Sequence, residues 1–355
     1  MKKNSEKIFV DARYVGLSGI GTFCKGILDN IPQNDFQNII LLGNKIKLSK
    51  LYPNVNIIDD QFNPFSLNGL FLSHNLLKII NACRAFLSPG YIIPFGIKIP
   101  IYTTICDCVF FDEPNTCKGI VDKRIKKYFY KRAIKKSEMV FTISNFSKNR
   151  IVSIFKCSKE KITIIPCGLS NDIIEFKKSH GKAKKENFFL FVGNFKPHKG
   201  IDTLLAAYRL YREKGGTNDL FLVGNKEGLH TSISTNGWDK IPGIKLKEGI
   251  SNNDLFSLMA SSKALIQPSR YEGFGLPPFE AMYLGTPVIL NNITVFHEIY
   301  NNSGAIFFEK DDPSSLCEKL FNIENENKIS LENCLNKYSF SLTVKIIKET
   351  LNDLK

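Results

Sequence analysis

The chain of 355 residues contains no apolar run approaching the ~18 residues that a membrane-spanning helix needs. Its most apolar region, 85–102, is broken by Pro89, Gly90, Pro94, Gly96 and Pro100. The opening MKKNSEKIFVDARY has two lysines but neither an apolar h-region nor a small-residue cleavage site, so it does not read as a secretory leader. A second deficit is in cysteine spacing. The nine cysteines are scattered, only Cys106-Asp-Cys108 forms a close pair, and no second pair stands at zinc-ligand spacing. This argues against a structural zinc and for reduced thiols in a cytoplasmic protein. No Asp-x-Asp, internal repeat or low-complexity tract is present, and no metal or bound cofactor is expected.

The composition that remains is ordinary for a globular protein, 43% hydrophobic and 23% charged, and the length suits two domains. The net charge of +14 calls for an anionic partner: a phosphorylated ligand, a membrane surface or nucleic acid. No nucleic-acid motif is found, and the basic residues lack the usual aromatic stacking platform. A basic nucleic-acid-binding protein therefore stands only as the non-enzyme alternative, and no nucleic-acid partner is expected.

Short β-rich runs alternate with helical patterns. KIFVDAR (7–13), NIILLG (38–43), IYTTIC (101–106) and MVFTIS (139–144) read as buried strands of a first half. FFLFVG (188–193), DLFLVG (219–224), ALIQPS (264–269) and PVIL (287–290) read as strands of a second. Such alternation implies α/β architecture with parallel sheets and right-handed crossovers. The charged segment 177–187 lacks apolar periodicity and is expected to link two Rossmann-like domains, 1–176 and 188–339. The tail reads as a final helix, 340–355, with Ser341 as its N-cap, packing back on the first domain. Two doubly wound domains present ligands at the carboxyl ends of their strands, facing a cleft.

The string QPSRYEGFGLPPFEAMYLGTPVIL (267–290) carries the sharpest signal. A strand ends at Ser269, a turn with Gly273 and Gly275 follows, and Pro277 and Pro278 suit a helix start. Free N–H groups at a helix N-terminus make an anion site where a diphosphate fits. Glu272 in the loop and Glu280 in the first helical turn add acceptors for sugar hydroxyls. An isolated pair of acids would be a solvated surface feature; the whole string is not.

EGFGLPPFEAMYLGTPVI resembles the Glu-x7-Glu motif of the family 4 retaining glycosyltransferases, which have the GT-B fold. The resemblance implies that Glu272 contacts the donor sugar and Glu280 the ribose, with the backbone of Gly273, Phe274, Gly275 and Leu276 lining sugar and phosphates. FVGNFKPHKGIDTLLAAY (191–208) resembles the strand–loop–helix that supplies cationic phosphate ligands, and places Lys199 in that role. A lysine at a helix start opposes the dipole unless an anion is present. Asn194 and His198 stand in this loop where many members have arginine, so Lys199 carries most of the charge. Lys199 and Glu272 are thus the expected catalytic residues.

DARYVGLSGIGTFCKGIL (11–28) resembles the family's N-terminal loop, with a helix expected near Thr22, and Gly19 and Gly21 carry over as donor-binding positions. TTICDCVFFDEP (103–114) has Cys106-Asp107 where relatives often have His-Asp; the thiol weakens a sugar contact. Asp107 is a candidate for acceptor binding, and Ser144, in FTISNFSKNRI, faces the cleft by the same analogy.

The resemblance implies transfer with retention from a nucleotide-sugar, GDP-mannose as first choice, to a saccharide or polyprenyl-linked acceptor. The DAR…GIG opening and the PHKG loop resemble those of bacterial mannosyl- and rhamnosyltransferases of lipopolysaccharide, O-antigen or capsule synthesis. A GT-B-fold sugar-nucleotide epimerase is the enzymatic alternative. Finally, KGIVDKRIKKYFYKRAIKK (118–136) reads as a basic helix with Val121, Ile125, Phe129 and Ala133 as its buried row. Its basic face is either a solvated surface or a peripheral contact with anionic lipid on the inner face of the plasma membrane.

Overall fold

Parallel strands that are covered on both faces must be apolar along their whole length, and the strands of this protein are built that way. The computed structural model describes residues 6–224, 237–238, 241–323 and 332–352. Residues 353–355 of the expected final helix lie outside this range. The strands are β1 (Ile8–Asp11), β2 (Ile39–Gly43), β3 (Asn56–Asp59), β4 (Ala85–Ser88), β5 (Ile101–Thr104), β6 (Met139–Thr142) and β7 (Ile162–Ile164), then β8 (Phe188–Val192), β9 (Asp219–Val223), β10 (Ile244–Lys247), β11 (Ala264–Gln267), β12 (Val288–Asn291) and β13 (Ile306–Phe308).

These form two parallel sheets, ordered β3-β2-β1-β4-β5-β6-β7 and β10-β9-β8-β11-β12-β13. Strand order reverses between β1 and β4 in the first sheet and between β8 and β11 in the second. In doubly wound sheets that switch point is where the loops diverge and ligands bind. The chain divides into two units: unit 1 comprises Met1–Cys108, Arg124–Ser170 and Tyr338–Lys355, and unit 2 comprises Val109–Lys123 and Asn171–Lys337. Unit 2 begins upstream of the segment 177–187, whose first residues belong to the helix Asn171–His180.

In unit 1 a buried ion network sets the turn after β1. The Arg13 guanidinium pairs with Asp11 at 2.7 Å and with Asp60 at 3.0 Å, and also donates to the Gly69 carbonyl at 3.1 Å. The first helix starts at Ser18, four residues before the expected Thr22. Gly19 and Gly21 therefore lie in its first turns. A Cβ on Gly21 would stand 2.7 Å from the Tyr14 carbonyl oxygen, so packing explains that glycine, whereas Gly19 is exposed with open space around it.

The helix Phe340–Asn352 packs within unit 1. Phe340 is buried against Gly26 and Gly168, and Arg84 donates to the Leu351 carbonyl at 2.8 Å. The helix is capped by Ser339, whose Oγ accepts from Leu342 N–H at 3.2 Å, and not by Ser341, whose hydroxyl bonds to Asn30. Ser341 lies two residues beyond Ser339, inside the first turn, too far along to cap the first open N–H groups. Phe340→Ala is expected to destabilise the protein by about 3–5 kcal/mol, because no neighbour can fill the space its ring leaves. Thermal unfolding of the variant measures this.

The basic helix runs from Ile120 to Lys136 and departs from the sequence expectation. It buries Tyr130, Ala133 and Ile134, followed by Ser137; of the expected row Val121, Ile125, Phe129 and Ala133, only Ala133 is buried. Val121 is 69% and Ile125 51% exposed. The rings on the buried side decide the outcome: Tyr130 packs on Tyr91 at 4.2 Å and on Phe155 at 5.6 Å between centroids. A Tyr ring brings more area into the core than Val and Ile at one end of the helix. No helix among the described residues is long and apolar enough to cross a membrane.

Candidate active site

The core of unit 2 is aromatic, with Phe189, Phe191, Phe195, Tyr208 and Tyr211 fully or nearly fully buried. It holds β8 and β11 side by side at the switch point. Each strand hands over to a loop that carries two charged residues, Lys196 and Lys199 after β8 and Arg270 and Glu272 after β11. After β8 the chain makes a single turn of 3-10 helix, Pro197–Lys199, and enters the helix Ile201–Glu213 through Gly200 at φ +66°. A side chain at Gly200 would collide with the Pro268 carbonyl, so glycine lets the two loops touch. After β11 the chain runs through Ser269 and Glu272 to Gly275 at φ +90°, which opens the helix Leu276–Tyr283.

Arg270 ties the loops together. Its N–H donates to the His198 carbonyl at 2.8 Å, and its guanidinium donates to the Pro197 carbonyl at 3.1 Å and pairs with Asp202 at 2.7 Å. Asn291, at the end of β12, donates to the Ser269 carbonyl at 3.2 Å.

This framework brings Lys199 Nζ to 2.7 Å from Glu272 Oε1, across 73 residues of sequence. The side chains are 18% and 12% exposed, so water reaches the pair. The same carboxylate oxygen accepts from Ser269 Oγ at 2.8 Å and from Gln267 Nε2 at 3.2 Å, while Gln267 Nε2 also donates to Ser269 Oγ at 2.8 Å. All three donors converge on Oε1, which fixes the carboxylate plane.

The expected N–H groups of the helix start need a correction. Pro277 and Pro278 occupy its second and third positions and have no N–H to offer. The open donors are Gly273 and Gly275 in the loop and Leu276 at the first helical position: among the described residues their N–H groups have no backbone acceptor. Tyr300 holds this loop by donating to the Gly275 carbonyl, and Phe274 packs edge-on against Phe279. N–H groups left open so near one another along a glycine-rich turn make an anion-binding concavity.

Glu280 lies at the fifth position of the helix, in its second turn and not its first. Burial alone pushes its carboxyl up to about 7. His198 is buried, and burial together with Lys199 and Lys196 pushes its imidazole down to about 3. It is neutral at working pH, so it adds no charge to that of Lys199. Asn194, partly buried, accepts from Lys196 N–H at 2.9 Å through its carbonyl.

In unit 1, Cys106 is a neutral thiol, since burial and Asp107 push its pKa well up. The Asp107 carbonyl accepts from Tyr130 Oη at 3.2 Å. Ser144 is buried and caps the helix Asn145–Phe155, accepting from Ser147 N–H at 3.1 Å, which leaves it a structural position. Sequence reasoning missed Gln267, Ser269, Arg270 and Asn291. One signal was available, since Gln267 and Asn291 are polar residues ending otherwise apolar strands. Among the described residues no group of three His, Cys, Asp or Glu is placed to hold a metal ion.

The chain is 31% identical over 228 residues to the O-antigen chain mannosyltransferase RfbU of Salmonella typhimurium, covering 62% of this chain and 60% of that protein. It is 25% identical over 236 residues to O-antigen chain mannosyltransferase B of Escherichia coli, covering 61% and 59%. It therefore spans about three fifths of the length of these curated relatives. Among solved structures it is similar to sucrose-phosphate synthase from Thermosynechococcus elongatus, with TM-score 0.70, 13% identity and coverage of 98% and 99%. It is also similar to Anabaena HepE in complex with UDP and glucose, with TM-score 0.68, 16% identity and coverage of 98% and 100%. At these identities the likeness shows the GT-B fold. The profile of the glycosyl transferases group 1 family matches residues 172–339, the region that holds Lys199, Glu272 and Glu280.

Proposed function

We propose that the protein is a retaining, metal-independent hexosyltransferase that moves mannose from GDP-mannose to a saccharide or polyprenyl-linked saccharide in O-antigen or capsule synthesis. The observation that carries this reading is the meeting of Lys199 and Glu272 at 2.7 Å beside the unpaired N–H groups of the glycine loop. A cation, an anchored carboxylate and an anion-binding loop at one sheet switch point suit a sugar joined to a diphosphate. The mannosyltransferase relatives favour mannose. Peripheral contact with an anionic membrane, through residues 118–136, belongs to the same reading.

In the proposed reaction the acceptor oxygen forms a bond to the anomeric carbon as the bond from that carbon to the diphosphate breaks. The acceptor proton passes to a leaving phosphate oxygen on the same face, so configuration is retained. Lys199 and the loop N–H groups stabilise the charge that grows on the diphosphate. Glu272, held through Oε1, presents its other oxygen to sugar hydroxyls and orients the ring. Glu280 accepts from the ribose.

A thermal-shift screen against GDP-, UDP- and dTDP-sugars tests the donor. GDP-mannose at 100 times its Kd is expected to add about 2.7 kcal/mol of stability. Stabilisation by a UDP- or dTDP-sugar alone would replace the donor, and stabilisation by none would sink the reading. NMR of the product anomer tests retention, and an inverted linkage would overturn it.

A further inference from the structure

Beneath its final helix, unit 1 is not fully packed. A cavity of about 720 Å³ lies between β1, β4, the first helix (Ser18–Asp29) and the helix Phe340–Asn352. Its walls are aliphatic: Val10 and Leu87 from the sheet, Ile27 from the first helix, and Val344, Ile347 and Leu351 from the final one. Each of these keeps 3–6% of its surface exposed, while Phe9, Ile40 and Phe86 in the same sheet keep none. Protein interiors hold few voids larger than a water molecule, and an apolar void of this size weakens the fold unless something fills it. The chain offers no apolar filler at the mouth: the residues before Glu6 are MKKNS and those after Asn352 are DLK.

The cavity is long and has one charged end. A narrow void shares its walls at Val10, Ile27 and Leu87 and continues inward to Pro89 and Thr104. Along β4 the two spaces run from Arg84 to Pro89, about 17 Å at ~3.3 Å per residue. At the mouth Lys348 pairs with Asp35 at 2.6 Å, which neutralises both. Arg84 is half-buried, donates to the Leu351 carbonyl at 2.8 Å and has no carboxylate partner among the described residues. Glu6 also lines the mouth, exposed, and does not pair with Arg84. This mouth is at the amino ends of the strands, opposite the carboxyl ends where a doubly wound sheet ordinarily binds its ligands.

We propose that this cavity is a binding site for a straight-chain fatty acid, with the chain lying along β4 and the carboxylate on Arg84. Shape and charge select the occupant. A long, narrow, aliphatic space suits one unbranched chain better than a ring system. The Arg84 guanidinium has five N–H groups, so after serving Leu351 it keeps a fork of donors for a carboxylate. A phosphate head would bring a second negative charge to a mouth that already holds Glu6, and like charges oppose each other. A bound chain would touch the sheet on one side and Val344, Ile347 and Leu351 on the other, so binding fastens the final helix to unit 1. The site needs neither the donor nor the acceptor of the proposed transfer, and either reading can fail without the other.

Titration calorimetry of the full chain with octanoate, decanoate, dodecanoate and tetradecanoate, each below its micelle-forming concentration, tests it. Affinity is expected to rise about fourfold per added methylene while the chain is being buried, and to level off once the cavity is full. Methyl dodecanoate is expected to bind about 10- to 100-fold more weakly than dodecanoate, and Arg84→Gln, which keeps a donor for the Leu351 carbonyl, to lose a similar factor for dodecanoate. Ile347→Phe, which fills the cavity, is expected to abolish binding without lowering Tm. In the unaltered protein, amide exchange of residues 340–352 is expected to slow when tetradecanoate is bound. Failure of tetradecanoate to bind, affinity independent of chain length, or undiminished binding by a folded Ile347→Phe variant overturns the site; should that variant not fold, the chain-length series alone decides. Equal binding of the methyl ester, or unchanged affinity in Arg84→Gln, overturns the contact with Arg84. Tighter binding of farnesyl phosphate than of tetradecanoate would overturn the fatty acid as occupant and assign the cavity to a prenyl phosphate.

Discussion

Lys199→Ala is expected to lower kcat about 100-fold without unfolding the protein. Removing one positioned donor from a developing oxyanion typically costs a factor of 100–1,000. Here the loop N–H groups remain, so the lower figure applies. Folding should survive because Glu272 Oε1 keeps Ser269 and Gln267 as donors after the ammonium is gone. The carboxylate is also near enough to water that no isolated charge is buried. Glu272→Ala should lose at least tenfold, since a hydrogen bond to a charged group contributes about 1.5–3 kcal/mol. The two losses should not add, because both residues are proposed to act on one bound donor and touch each other. Steady-state kinetics with circular dichroism as the folding control decide the matter. Turnover at the level of the unaltered protein in either variant would remove the pair from the site.

Nucleotide affinity is expected to rise about tenfold per pH unit up to neutrality and then level off. The cause is Glu280. Its carboxyl titrates at about 7 in the fold against an ordinary value of 4.5. If ribose hydroxyls donate to the carboxylate, binding below pH 7 must first expel a proton, and affinity falls by the fraction still protonated. Calorimetry in two buffers of different ionisation enthalpy reads the proton release directly. Glu280→Gln should abolish both the release and the slope; a flat profile in the unaltered protein would exclude Glu280 from the nucleotide contact. The same shift has a stability consequence with the opposite sign. Between about 4.5 and 7 the native state holds a proton that the unfolded chain has lost. The contribution of Glu280 is therefore fully present below about 4.5 and is lost as pH rises to about 7, a change of roughly 3 kcal/mol. On the proposed assignment, low pH favours the fold and weakens nucleotide binding through one side chain.

The reach of the sequence can be judged from particular residues. Strands such as β2, IILLG, are uninterrupted apolar runs and were legible as buried parallel strands. β4, AFLS, was not, because its four residues open a segment full of proline and glycine, yet it stands next to β1 at the switch point. Its place depends on pairing with β1 and β5, which no local pattern reports. In the candidate site, Glu272 and Lys199 stood out because the glycines and prolines around them demand a particular backbone. Ser269, Gln267 and Arg270 did not, because their importance lies in what they touch 3 to 73 residues away. The basic helix misled for a related reason. Two apolar stripes were available on it, and only the aromatic neighbours of Tyr130 decide which one turns inward.

The helix Phe340–Asn352 completes unit 1, whose remaining segments all precede residue 171. During synthesis on the ribosome unit 1 therefore lacks its covering helix until the residues from Phe340 to Asn352 have been added. Unit 2 has its whole sheet available earlier, although its strands come later in the chain. Vectorial synthesis ordinarily favours the N-terminal domain. In this protein the order of completion is reversed, and the open face of the nascent first unit must stay unaggregated while some 170 further residues, from Asn171 to Lys337, are added.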